Sequence, residues 1–260
     1  MMSTMPQRIC WEFDLCDAHV HVGRYKQRYF PPEYVVACMK RLNIKKWAVS
    51  STSTSAKGFK TARAELEACM ALAPGCAVPV LWVTPQMLRA SRDLAQYDVM
   101  AYAALKVHGF DAWDAQQRGI SRLCAIARER HWPVLFHTGG AKECEAGMYG
   151  KVCAAFPGVT VVLYHGRPVE QAIDVCKRHP NAWIETSFMP MTWVKCAVRD
   201  IGPGRILLGS DFPLDAVYYP QECATTRYRR RVRALRTAFG DRVMDKWSRN
   251  FAAVFNTGGG

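Results

Sequence analysis

Acidic side chains are scarce in this 260-residue chain: 22 aspartates and glutamates stand against 35 lysines and arginines, a formal net charge of +13. No apolar run approaches the roughly 18 residues that cross a bilayer, and the opening MMSTMPQRICWEFD lacks the long apolar core of a secretion signal. With no membrane segment in view, a cytoplasmic protein is the expectation. No Cys-x-x-Cys pair occurs among the 11 cysteines, and the odd total fits buried reduced thiols better than a disulfide framework or a cysteine zinc site. There is no glycine-rich phosphate loop after the first apolar run, no linker, no repeat of high identity and no low-complexity tract. A doubly wound nucleotide-binding sheet therefore has little support.

What the chain does have is positive charge and an even supply of apolar residues, half of the total. A basic surface attracts anions of many kinds. The densest block, RYRRRVRALR at 227–236, carries Tyr228, Val232 and Leu235, followed by Phe239, at helical spacing. That pattern is an amphipathic helix with arginines on its wet face. Nucleic acid is not expected, since a stacking surface needs exposed aromatic rings and these belong to the core.

Eight short apolar runs end in polar or glycine residues, and helix-like segments follow them: FDLCDAHVHV, KWAVSST, AVPVLWVT, AALKVHGF, PVLFHTGG, TVVLYHG, AWIETSF and RILLGSDF. Runs that are apolar on both faces and alternate with helices indicate a buried parallel sheet. Eight units in about 250 residues is the size of a closed barrel. The fold class expected is α/β, a single (β/α)8 TIM barrel over residues 1–260, with 1–11 as an N-terminal extension and 257–260 as a frayed tail.

The stretch DAHVHVG at 17–23 places two histidines two residues apart. If the strand continues through it, Asp17, His19 and His21 share one face, and the two imidazoles aim at one spot, as in a pair of metal ligands. In a barrel the active site gathers at the C-terminal ends of the strands. His19 and His21 end the first run, Lys106 and His108 the fourth, His137 the fifth and His165 the sixth; Glu185 comes late in the seventh, and Asp211 ends the eighth. The remaining histidines, His131 and His179, fall at helix ends, where capping or exposure suits them.

Taken in order, DAHVHVG, LKVHG, PVLFHTG, LYHGRP, LLGSDFP and NFAAVF resemble the landmarks of the amidohydrolase superfamily, in the branch called amidohydrolase family 2, over nearly the whole chain. The resemblance implies a metal-dependent TIM-barrel enzyme with His19, His21, His137 and Asp211 as ligands, His165 beside the metal as a catalytic group, and Lys106 and His108 lining the substrate pocket. A carbamylated Lys106 bridging two metals belongs to other members, and the K-x-H pattern here favours one metal. An ion pair of Lys106 with a carboxylate such as Glu185 is a third option. Nitrogen and oxygen ligands suit zinc, with manganese, iron or nickel as alternatives.

The implied reaction is hydrolysis of a small carbonyl substrate by metal-activated water, with Asp211 as proton carrier. Nonoxidative decarboxylation of an unsaturated or aromatic acid is the alternative in the same branch. A related metal-dependent nuclease ranks lower, because the positions read GSDFP and KVH rather than that branch's pattern. Arg24, Lys26 and Arg28, in the stretch after the first run, would favour an anionic substrate, and a homodimer is left open.

Overall fold

The computed structural model describes residues 11, 14–91, 93–111 and 118–256. Among them, nine strands form one continuous sheet in the order β2-β1-β3-β4-β5-β6-β7-β8-β9. They are β1 (Leu15–Tyr25), β2 (Arg28–Phe30), β3 (Ile44–Ser51), β4 (Ala77–Trp82), β5 (Ala104–Val107), β6 (Val134–His137), β7 (Val161–Tyr164), β8 (Ala182–Glu185) and β9 (Ile206–Leu207). All eight apolar runs read from the sequence are present as parallel strands. The ninth, β2, pairs antiparallel with the end of β1, so Arg24, Lys26 and Arg28 belong to a hairpin and not to a plain loop.

The sheet curls until its first and last parallel strands meet. Ala18 N donates to Leu208 O at 2.8 Å, Asp211 N to His19 O at 2.9 Å and His21 N to Phe212 O at 2.7 Å. Val20 bridges Phe212 in parallel register. This seam closes a TIM barrel. Side chains alternate across its wall: Trp47, Val49, Val161 and Leu163 join the layer beneath the helices, while Ala48 and Val162 point into the barrel. Both faces are dry, which is why the strands read as unbroken apolar runs.

Small residues dominate the barrel interior, and the last helix, Asp241–Val254, supplies Phe251 and Val254, followed by Phe255, to the same cluster. Asn250 on that helix donates to Pro203 O at 2.9 Å and Ile206 O at 2.7 Å, tying it to the strand that completes the barrel. The arginine-rich block forms the helix Ala224–Phe239, with Tyr228, Val232 and Leu235 buried as the periodicity predicts. Trp11, assigned above to the N-terminal extension, is buried and donates to Leu42 O at 2.8 Å. The rest of that extension and the expected tail at 257–260 lie outside the described residues. No helix among the described residues is long and apolar enough to cross a membrane.

Candidate active site

Strand β1 does not alternate cleanly. Its pairing with β3 slips between Asp17 and Val20, and the irregularity turns Ala18 into the barrel beside Tyr164 while Val20 and Val22 join the outer core. His19 packs on the Tyr164 ring, centroids 4.0 Å apart. Asp17 therefore leaves the face it was expected to share with His19 and His21, and lies toward Tyr228 of the outer helix. Its Oδ2 accepts from Ser210 Oγ at 2.6 Å and its Oδ1 from Ser210 N at 3.1 Å, so it staples β1 to the turn that carries Asp211. Burial pushes its carboxyl up to about 6.

His19 Nε2, His21 Nε2 and Asp211 Oδ1 converge, with separations of 3.0 Å between the two nitrogens and 3.1 and 3.0 Å from them to the oxygen. The other nitrogen of each ring is occupied: His19 Nδ1 meets Glu185 Oε2 at 3.0 Å, and His21 Nδ1 meets Ser50 O at 3.2 Å. Ser50 Oγ also lies 3.1 Å from His21 Nδ1; with the ring proton on Nδ1 donated to the Ser50 carbonyl, which only accepts, His21 turns a lone pair inward. Burial first, and then the neighbouring Lys106, lowers the pKa of both rings and keeps them neutral. Two oriented neutral imidazoles and a carboxylate oxygen, all held within a shared pocket of donors, fit a divalent cation.

Lys106 enters the same point from β5, its Nζ 2.7 Å from His19 Nε2 and 3.0 Å from His21 Nε2. Burial pulls its ammonium down to about 8, opposed by the charges of Asp211 and Glu185. Glu185 contacts the far side of His19 and so is not merely a counter-ion for Lys106. His137, expected as a ligand, lies outside the convergent trio: its Nδ1 faces His165 Nε2 at 3.1 Å. His165 in turn has Nδ1 2.7 Å from Ser187 Oγ. His165 at φ 70° and Asp211 at φ 59° both adopt left-handed backbone, a conformation that costs an L residue on the order of 1–3 kcal/mol. The packed strand ends hold that strain where the chemistry gathers.

A cavity of about 420 Å³ opens over these groups. Trp82, His108 and His137 stack along one wall, with centroid distances of 5.4 and 4.0 Å, and Phe188 and Tyr218 form an edge-to-face pair at 5.8 Å, both also lining the cavity. The second cation of the lining is Arg167, whose Nε is buried without a partner and whose guanidinium stands 5.8 Å from the Phe188 ring. Arg24 is not part of the lining; its guanidinium lies 5.8 Å from the Tyr29 ring on the hairpin. Arg167 sits within the LYHGRP stretch, two residues after His165, and its place beside the strand end was the available signal. Ser187 had none, being one serine in a turn.

Comparison with known proteins comes down to one family and a set of folds. The family described as amidohydrolase matches residues 16–244. No curated protein sequence matches the chain. Among solved structures, a protein assigned as a 2-pyrone-4,6-dicarboxylic acid hydrolase of Pseudomonas putida aligns at 15% identity over 96% of this chain and 100% of its own, TM-score 0.68. An amidohydrolase of Burkholderia multivorans with bound zinc aligns at 13% identity over 94% and 99%, TM-score 0.68. The 5-carboxyvanillate decarboxylase of Sphingomonas paucimobilis aligns at 12% over 94% and 99%, TM-score 0.62. At such identities these likenesses speak for the fold.

Proposed function

We propose a function from one premise: the chain belongs to the amidohydrolase family. It is a metal-dependent enzyme of hydrolase or decarboxylase type. The reading supported best is hydrolysis of a small anionic carbonyl compound, a lactone, amide or ester. The observation that carries it is the convergence of His19, His21 and Asp211 beneath a cavity that also holds Lys106 and Arg167.

His19, His21 and Asp211 would hold one divalent cation, zinc by donor chemistry, with manganese, iron or nickel as alternatives. Bound there, the cation supplies Lewis acidity that lowers the cost of negative charge on an adjacent oxygen. Asp211 takes the proton of the attacking water and returns it to the leaving group. Lys106 faces the same point and offers an ammonium to the oxygen on which charge develops. Arg167 holds a carboxylate of the substrate, and the Trp82–His108–His137 stack lies against its flat part. His137 and His165 support the site as a hydrogen-bonded pair.

Decarboxylation is the second reading, favoured by two cations and aromatic walls in one cavity, which suit an aromatic acid. A panel of lactones, amides and unsaturated or aromatic acids, with product mass measured, decides between them: gain of water supports the first reading, and loss of carbon dioxide the second. Metal analysis should find about one divalent ion per chain. Two ions with a carbamate on Lys106 would overturn the mononuclear site.

A further inference from the structure

With Glu185 as a carboxylate and Lys106 as an ammonium, a pairing that their shared burial opposes from both sides, the protons around Glu185 can be placed. As an ammonium Lys106 has only donors, so His19 Nε2, 2.7 Å away and also 3.1 Å from Asp211 Oδ1, accepts from it, and the proton of that ring sits on Nδ1. It is donated to Glu185 Oε2 at 3.0 Å. The same Oε2 accepts the Ser187 hydroxyl at 2.7 Å, and Oε1 accepts Ser187 N–H. With its single proton used, Ser187 Oγ accepts from His165 Nδ1 at 2.7 Å, and Ser187 O, 3.3 Å from the same nitrogen, also only accepts. His165 Nε2 is then a lone pair and takes the proton of His137 Nδ1 at 3.1 Å. His137 is left with its lone pair on Nε2.

We propose that Glu185 and Ser187 are positioning residues that set the tautomers of His19, His165 and His137 through one directional chain of hydrogen bonds. Glu185 and His19 are buried with Ser187 and His165, each at 2% exposure or less, so no water replaces a missing partner. The closeness of the packing shows in Gly209, where an added Cβ would stand 2.1 Å from Glu185 Oε1. The chain gives His165 an indirect role: it orients His137 in place of donating to the substrate. The proposal rests on the reading of this pocket as the catalytic centre, but its test does not need turnover.

The test is the nitrogen NMR spectrum of the metal-free, full-length protein labelled at histidine, with assignments made by single substitutions. Wild-type protein should show His19 and His165 protonated on Nδ1 and His137 protonated on Nδ1. Glu185→Gln should move the His19 proton toward Nε2, alter the His137 signals although the two residues do not touch, and weaken zinc binding about 10- to 100-fold. Ser187→Ala should keep the His19 proton on Nδ1 through Glu185, although Ser187 Oγ also lies 3.2 Å from that nitrogen, while the His165 and His137 signals shift because His165 Nδ1 keeps only the 3.3 Å contact to the main-chain oxygen; Ser187→Thr should restore them. Unshifted His131 and His179 signals certify the fold. A wild-type His165 protonated on Nε2, or His137 signals that ignore both substitutions, overturns the chain; absence of zinc binding in wild type would instead strike the functional reading.

Discussion

Lys106 Nζ lies 2.7 Å from His19 Nε2 and 3.0 Å from His21 Nε2, so a buried ammonium rests on the lone pairs that a divalent cation would use. Lys106→Met should therefore split two properties that usually fall together. Without a cation, two lone pairs and a carboxylate face one another unbridged, and the metal-free protein should lose about 1–3 kcal/mol, read by thermal melting. Zinc affinity, measured by calorimetry, should equal or exceed that of the parent, because a competitor has been removed. Turnover should fall by about 100-fold or more. Weaker zinc binding in the variant would make Lys106 a ligand.

Gly209→Ala tests how closely the site is packed. Its Cβ would stand 2.1 Å from Oε1 and 2.4 Å from Cδ of Glu185, and the buried carboxylate has little room to retreat. A loss of about 1–3 kcal/mol is expected from the overpacking, with kcat reduced as His19 loses its partner. Gly204→Ala, where a Cβ meets nothing within 4 Å, is the matched control and should melt near the parent. Equal melts for the two variants would mean that Glu185 moves freely.

Charge recognition should reside in Arg167 and not in Arg24. Arg167→Gln should raise KM for an anionic substrate about tenfold or more while barely changing that for its neutral ester. Arg24→Gln, altering a residue outside the cavity lining, should leave the ratio of the two KM values unchanged. If Arg24 instead changes the ratio, the hairpin closes over the substrate in a way these contacts do not contain.

Stability should depend on the far end of the barrel as well. Phe251 is 1% exposed and packs among small interior residues, so Phe251→Ala should cost about 3–5 kcal/mol in chemical denaturation. Because the substitution lies at the last helix, residual activity of the folded fraction should stay close to that of the parent. A drop in kcat without a drop in stability would contradict this division of labour.

The eight parallel strands were legible because double-sided burial leaves unbroken apolar runs, and their polar ends marked the site without any structure. Asp17 was placed on the wrong face because strict alternation assumes a regular ladder, and the slip between Asp17 and Val20 is a property of pairing with β3. Arg24 looked like the pocket's cation because it comes after the first apolar run, but it lies in the end of β1 that pairs with β2, whereas Arg167 follows β7 and turns into the cavity. His137 ends its strand as expected, but which nitrogen it presents depends on His165 and Ser187. Such relations join residues far apart in the chain and leave no local pattern.

The seam between β1 and the segment at 208–212 brings His19 and His21 against Asp211, residues from opposite ends of the chain. A ribosome must therefore translate the whole stretch from His19 to Asp211 before the three donors can meet. An amino-terminal fragment carries His19 and His21 without Asp211, and the complementary fragment carries the reverse. Split anywhere between His21 and Asp211, neither half holds the trio, and any activity that needs it and is recovered on mixing counts the molecules in which the ring has been sewn shut.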